Sequence, residues 1–154
     1  MAEARLVGIC ISSDGAAQME PVELVEAIAG HGLVGDRYAN LSGTFQDGEA
    51  IEPDQEVTLI EEEALQAAGR EYDLQIAHRD SRRNLLTRGL ALNHMVGQEF
   101  RVGDVLLKGI RLCEPCGHLE KLTFEGIRAS LVHRGGLRAQ VVEGGTIRID
   151  DPIS

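Results

Sequence analysis

The sequence predicts a mainly β domain, closed as a β-barrel, with two or three short helices. Three observations point there. Six to eight stretches read as strands, against two with helical periodicity. Gly-Asp and Gly-Gly pairs separate apolar stretches at hairpin spacing, at Gly103-Asp104 and Gly144-Gly145. Aromatics make up 3% and Trp is absent, so Val, Leu, Ile and Ala must build the core. Dominant strands in a short chain favour a barrel-like solution.

Residues 4–12 alternate as an opening strand, and 20–29 read as a second, with Val22, Leu24 and Val25 outweighing Glu23 and Glu26. Residues 30–54 hold many Gly, Asn, Asp and Ser and read as a long loop, its 43–54 stretch acidic and solvated. Residues 56–60 predict a short strand, followed by a helix from Glu61 to Ala68 that ends at Gly69. Residues 83–87 predict a strand entering Gly89, and Leu90 to Val96 a helical turn. Phe100–Val102 and Val105–Leu112 predict a hairpin. Leu119, Leu122, Ile127 and Leu131 predict one amphipathic helix over 119–132. Residues 138–142 and 146–149 predict a closing hairpin.

The 154 residues fit one domain, expected to span 1–154. No apolar run approaches the roughly 20 residues of a membrane span, and the start of the chain lacks a signal peptide's basic and apolar regions. Three cysteines are too few, and odd in number, for a disulfide framework, so a reducing, cytoplasmic setting is expected. The net charge of −10 argues against nucleic-acid binding. Its distribution is uneven. Residues 70–138 carry 12 basic and 8 acidic side chains, the remainder 3 and 17. Thirteen of the 15 basic residues are Arg, suited to bidentate contact with phosphate or carboxylate.

The sharpest local signal is Cys113-Glu114-Pro115-Cys116-Gly117, placed between a predicted strand and a predicted helix. The dipole and free N–H groups of a helix N-terminus favour the thiolate, which serves as nucleophile, redox group or metal ligand. Zinc, a thioredoxin-like redox pair and two inert cysteines in a turn are rival readings; Cys-x-x-Cys supplies two zinc ligands, with His118 a third candidate and His94 or His133 a distant fourth, and the pair lies late in the chain for a redox motif. Cys10, within an apolar strand, reads as a core residue. Gly32-Leu33-Val34-Gly35-Asp36-Arg37-Tyr38 is either a loop that brings backbone N–H groups and Arg37 to an anion, or a turn with a surface Asp36–Arg37 pair. Arg82-Arg83-Asn84-Leu85-Leu86-Thr87-Arg88 is either a strand whose alternation turns one of the adjacent arginines inward, with Asn84 and Thr87 adding polar groups, or a basic, solvated edge strand. Arg134-Gly135-Gly136-Leu137-Arg138-Ala139 ends a helix and opens a strand, with Arg138 able to reach a neighbouring site.

In order, these segments, with Gly97-Gln98-Glu99-Phe100-Arg101-Val102-Gly103 and Gly144-Gly145-Thr146-Ile147, resemble the MOSC family, the domain at the C-terminus of molybdenum-cofactor sulfurases. The resemblance runs from about Arg5 to Ile153. It departs from the family at Tyr38, where His is common, and at Asp150-Asp151, where Gly-Asp is common. It implies a barrel like the small barrel domain of pyruvate kinase. It also implies a molybdenum cofactor (molybdopterin) whose metal or sulfur is carried by a cysteine matching Cys116, with Cys113 the second choice. Gly35, Asp36, Arg37, Arg83, Asn84, Thr87 and Arg138 would hold the anionic cofactor. Soft dithiolene-bound molybdenum suits a thiolate. The implied activity is reduction of N-hydroxylated small molecules, as in hydroxylaminopurine and amidoxime reductases, or cofactor and sulfur carriage through a Cys116 persulfide. The family's pyridoxal-phosphate domain has no counterpart here, so a separate electron- or sulfur-donor protein is expected. A cofactor-free binding module is the alternative from another class.

Overall fold

A computed structural model of the chain describes residues 3–37, 39 and 51–154. Tyr38 and residues 40–50 of the predicted loop lie outside the described residues. Among the described residues, ten strands form two sheets. They are β1 (Arg5–Ile11), β2 (Glu20–Pro21), β3 (Leu24–Ile28), β4 (Gly32–Leu33), β5 (Val57–Glu61), β6 (Leu85–Arg88), β7 (Glu99–Val102), β8 (Val105–Leu112), β9 (Leu137–Glu143) and β10 (Gly145–Arg148). Four short α-helices accompany them among the described residues: α1 (Glu62–Tyr72), α2 (His78–Ser81), α3 (Gly117–Leu122) and α4 (Ile127–Ser130). The larger sheet has the order β2-β1-β6-β5-β9-β8-β7, and the smaller β10-β3-β4. Among the described strands, β5 and β6 form the one parallel pair, and the segment containing α1 and α2 makes the crossover that parallel neighbours require.

The mainly β expectation holds, but the described strand ladders do not close into a barrel. The edges of the larger sheet, β2 and β7, pair with no common neighbour. The space between β1 and β7 is spanned by residues 150–154 through isolated bridges, Arg5 to Pro152 and Val102 to Ile153. Pro152 lacks an N–H and cannot propagate a ladder.

Other expectations change for local reasons. The first helix runs past Gly69 to Tyr72 and ends at Asp73 in the left-handed conformation. Gly69 serves a close approach instead: the Leu74 N–H bonds the Gly69 carbonyl, and a Cβ at 69 would lie 2.8 Å from the Leu74 oxygen. The single helix expected over 119–132 is two. Gly126, at φ +95, breaks it, and Glu120 Oε1 accepts from the Gly126 and Arg128 N–H groups (3.2 and 3.0 Å) to cap α4. The strands of the closing hairpin form, but not as a pair: β9 joins β5 and β8, while β10 crosses to β3. The predicted 20–29 strand divides into β2 and β3, and part of the predicted loop forms β4.

The strands bury two apolar layers. Leu6, Leu59, Leu85, Leu107 and Leu137 of the larger sheet pack with Val25, Leu33 and Ile147 of the smaller one. On the opposite face, Ile60 packs with Leu65, Ala68, Leu119, Ile127 and Leu131 from the helices. β5 is therefore covered on both sides, which explains why Val57, Thr58, Leu59 and Ile60 are all buried. Among the described residues, no helix is long and apolar enough to cross a membrane.

Asn84, fully buried just before β6, ties three segments together. Its Oδ1 accepts from the Thr58 N–H (3.0 Å) and hydroxyl (3.1 Å), and its Nδ2 donates to the Cys10 carbonyl (3.1 Å). Asn84→Ala strands buried donors and acceptors and should destabilise the fold by ~3 kcal/mol. Urea unfolding checks this as a lower midpoint at unchanged slope. A loss below about 1 kcal/mol would show that Asn84 is not a structural tie.

Candidate functional site

The Cys113–Cys116 turn leaves the end of β8 and enters α3, with Cys116 as the residue preceding its first turn. Cys113 is buried, Cys116 is half-buried against the helix-side apolar layer, and all three cysteines are free. The turn is held from several directions. The Cys113 N–H donates to the Gly136 carbonyl at 2.8 Å. Glu114 accepts from the His133 N–H at 2.9 Å and approaches its ring Nδ1 at 3.2 Å. Gly135 lies so close beneath the turn that a Cβ there would sit 2.4 Å from the Cys113 oxygen and 2.9 Å from Pro115 Cδ. The double-glycine segment, expected to end a helix, lies beyond it, since α4 ends at Ser130; Gly135 serves backbone packing against the cysteine turn instead.

Arg83 completes the clamp. It is 8% exposed, and its Nε donates to the Gly135 carbonyl (2.7 Å) and its Nη2 to the Cys113 carbonyl (3.0 Å). No described carboxylate forms an ion pair with it. Arg82 is held in the left-handed conformation, donating to the carbonyls of Ala17 (2.8 Å) and Gly15 (3.1 Å). Both adjacent arginines are thus inside, against the simple alternation of a strand, because residues 82 and 83 precede β6 and do not belong to it.

The Asp36–Arg37 pair is buried rather than superficial. Asp36 Oδ1 accepts from the Ser12 N–H (3.0 Å) and from Arg37 Nη1 (3.2 Å), while Arg37 Nη2 donates to the Arg82 carbonyl (2.9 Å). The second oxygen, Oδ2, is buried with no hydrogen-bond partner among the described residues. Gly35, at φ +89, makes the turn that presents this pair. Arg138 on β9 donates through Nη1 to the Asp54 carbonyl at 3.1 Å. Asn84 and Thr87 are directed into the sheet, Thr87 donating to the Ile60 carbonyl (3.4 Å). The bond chain Arg37, Arg82, Arg83, Cys113 brings the first three flagged segments together, and Gly135 adds the fourth.

Two residues escape sequence reasoning. Arg128 Nη1 lies 3.9 Å from where a Gly117 Cβ would stand, so a guanidinium passes beside the residue that follows Cys116. His78 lies between the arginine segment and β1: its Nε2 contacts the Arg83 carbonyl at 3.0 Å and its Nδ1 contacts Cys10 Sγ at 3.5 Å. A carbonyl only accepts, so Nε2 carries the proton and Nδ1 accepts from the thiol. No local pattern marks either residue; both depend on contacts distant in sequence.

Burial pushes the His78 imidazole down to about 4, partly countered by its bond to the Arg83 carbonyl. The neutral form is therefore favoured in the folded state, and its contribution is fully present above the unfolded value near 6.5. It is lost as pH falls from there towards 4, by up to ~3 kcal/mol. Urea midpoints across that interval should decline in the natural protein and stay flatter in His78→Gln; parallel profiles would exclude His78 as the cause.

The MOSC domain family profile matches residues 46–154. Among curated proteins, none matches the chain in sequence. Solved structures that share its fold include the YUAD protein from Bacillus subtilis, with TM-score 0.79 and 15% identity over 99% of this chain and 94% of that one. YiiM from Geobacillus stearothermophilus has TM-score 0.72 and 15% identity, covering 97% of this chain and 73% of that one. YiiM from Escherichia coli has TM-score 0.68 and 21% identity, covering 97% and 68%.

Proposed function

The chain belongs to the MOSC domain family, and on that premise we propose that it binds a molybdenum cofactor through the Cys116 thiolate. The observation that carries this reading is the buried Arg83 guanidinium, bonded to the Cys113 carbonyl with no ion-paired carboxylate among the described residues. A buried cation whose partners among the described residues are carbonyl dipoles makes the neighbourhood of the cysteine turn favourable for an anion. Arg128 beside Gly117 adds to that field.

The donor set suits the group. A half-buried free cysteine sulfur is a soft donor that matches a soft, sulfur-bound metal. Asp36 Oδ2, with no hydrogen-bond partner among the described residues, offers a buried acceptor of the kind a heterocyclic N–H requires. Cys116 would hold the metal, with Cys113 the second candidate. Gly35, Asp36, Arg37, Arg83 and Arg138 would line the anionic part, and Asn84 and Thr87 would support them from within the sheet. When bound, the cofactor supplies two-electron oxygen-atom chemistry. This chain's residues contribute a thiolate ligand, a fixed turn and a positive surround. The reading extends to reduction of N-hydroxylated small molecules with electrons from a separate protein, in the cytoplasm. Sulfur carriage on Cys116 is the other activity of the same site.

Protein purified from cells that make the cofactor should contain about one molybdenum and one pterin per chain. Cys116→Ser should lose the metal at least roughly tenfold, and Arg83→Met should weaken retention by a similar factor, as expected for support of a ligand rather than ligation. Equal, near-zero metal in all three proteins favours the cofactor-free module. Where metal is present, reduction of an aromatic amidoxime with a chemical electron donor separates the reductase from the carrier.

A further inference from the structure

A second thiol lies away from the Cys113–Cys116 turn. Between Leu6 and Gly8 the pairing of β1 with β6 slips by one residue, placing a bulge at Val7. Bulges re-aim side chains and recur beside functional sites. One residue on, Gly8 has no Cβ where one would sit 2.8 Å from His78 Nδ1, so the glycine allows the ring to lie against the strand. The ring then meets Cys10 Sγ at 3.5 Å through Nδ1, while Nε2–H is fixed on the Arg83 carbonyl. A thiol, a base within hydrogen-bond reach and a third group orienting that base make up a nucleophile site.

Cys10 and His78 both line a cavity of about 560 Å³ whose other walls include Val7, Ile9, Val22 and Ile149. Arg79, the residue after His78, lines the same cavity, where its cation can stabilise charge developing on a carbonyl oxygen. We propose that Cys10 and His78 form a nucleophile–base pair that accepts a small apolar acyl group from an activated ester or thioester. Burial holds the thiol up at about 11, against a smaller opposing effect of Arg79, and the imidazole down at about 4, so the resting pair is uncharged. The nucleophile is generated only during attack. Cys10 Sγ bonds to the acyl carbon as its proton passes to His78 Nδ1. The bond from that carbon to the leaving oxygen or sulfur breaks with its electron pair, and the imidazolium returns the proton to the leaving group.

The test uses the whole chain and p-nitrophenyl butyrate, following p-nitrophenolate release and locating the butyryl group by peptide mass. The expected result is a stoichiometric burst with the label on Cys10, preserved when Cys113 and Cys116 are both changed to Ser. His78→Gln should slow it roughly 100-fold, the contribution of a positioned base. Val22→Trp, which fills the cavity while leaving the pair in place, should block it, and this arm decides the matter if His78→Gln does not fold. Label found only on Cys113 or Cys116 overturns the proposal, as does acylation of Cys10 at the natural rate in Val22→Trp. Because the reaction needs no cofactor, its outcome is independent of molybdenum content.

Discussion

The buried guanidinium of Arg83 is the contact on which the candidate site depends. It joins two turns far apart in sequence, donating to Gly135 on one side and to Cys113 on the other. Hydrogen bonds from a charged donor contribute about 1.5–3 kcal/mol each. Losing one would leave a charge buried without its partner, which costs more than the bond itself. The price of keeping the cation inside is a residual positive field at the base of the cysteine turn.

The same residue also serves the other thiol. Its backbone carbonyl accepts from His78 and so sets the tautomer that faces Cys10. Asn84, the next residue, bonds the Cys10 carbonyl and Thr58. Residues 82–84 therefore work as a junction in which each residue takes a separate direction: Arg82 to the 15–17 turn, Arg83 to the cysteine turn, Asn84 to β1 and β5. The left-handed conformation of Arg82 is what turns α2 into this junction. Parallel pairing of β5 with β6 then carries it beside the rest of the site.

The short helices follow from the same arrangement. β5 is buried on both faces, so a layer must cover Ile60, and α1, α3 and α4 supply it. A continuous helix over 119–132 would bury the same apolar residues but would lack the Gly126 break that lets Glu120 cap a second helix. That break also brings Arg128 back alongside Gly117. Helix interruption and the placing of a cation near Cys116 are thus one structural event.

Much of this was legible in the residues. Period-two alternation located β1, a short apolar run located β5, Gly103-Asp104 located β7, β8 and the turn between them, and the glycine- and arginine-rich segments marked the pieces that assemble around Cys113. These signals are local, because strand alternation and turn chemistry act over a few residues. Which strand accepts β10, whether the sheet closes, and which buried groups bond His78 and Arg83 are set by hydrogen bonds between segments tens of residues apart. Cys10 shows the division most clearly. Its apolar neighbours correctly placed it in the core, but its proximity to an imidazole arises from a bulge, a missing Cβ and a helix start that meet only in three dimensions. Composition and periodicity determined the class of fold and the residues available to a site. Long-range pairing decided which of them touch, since a side chain's neighbours depend on register and packing that no single segment contains.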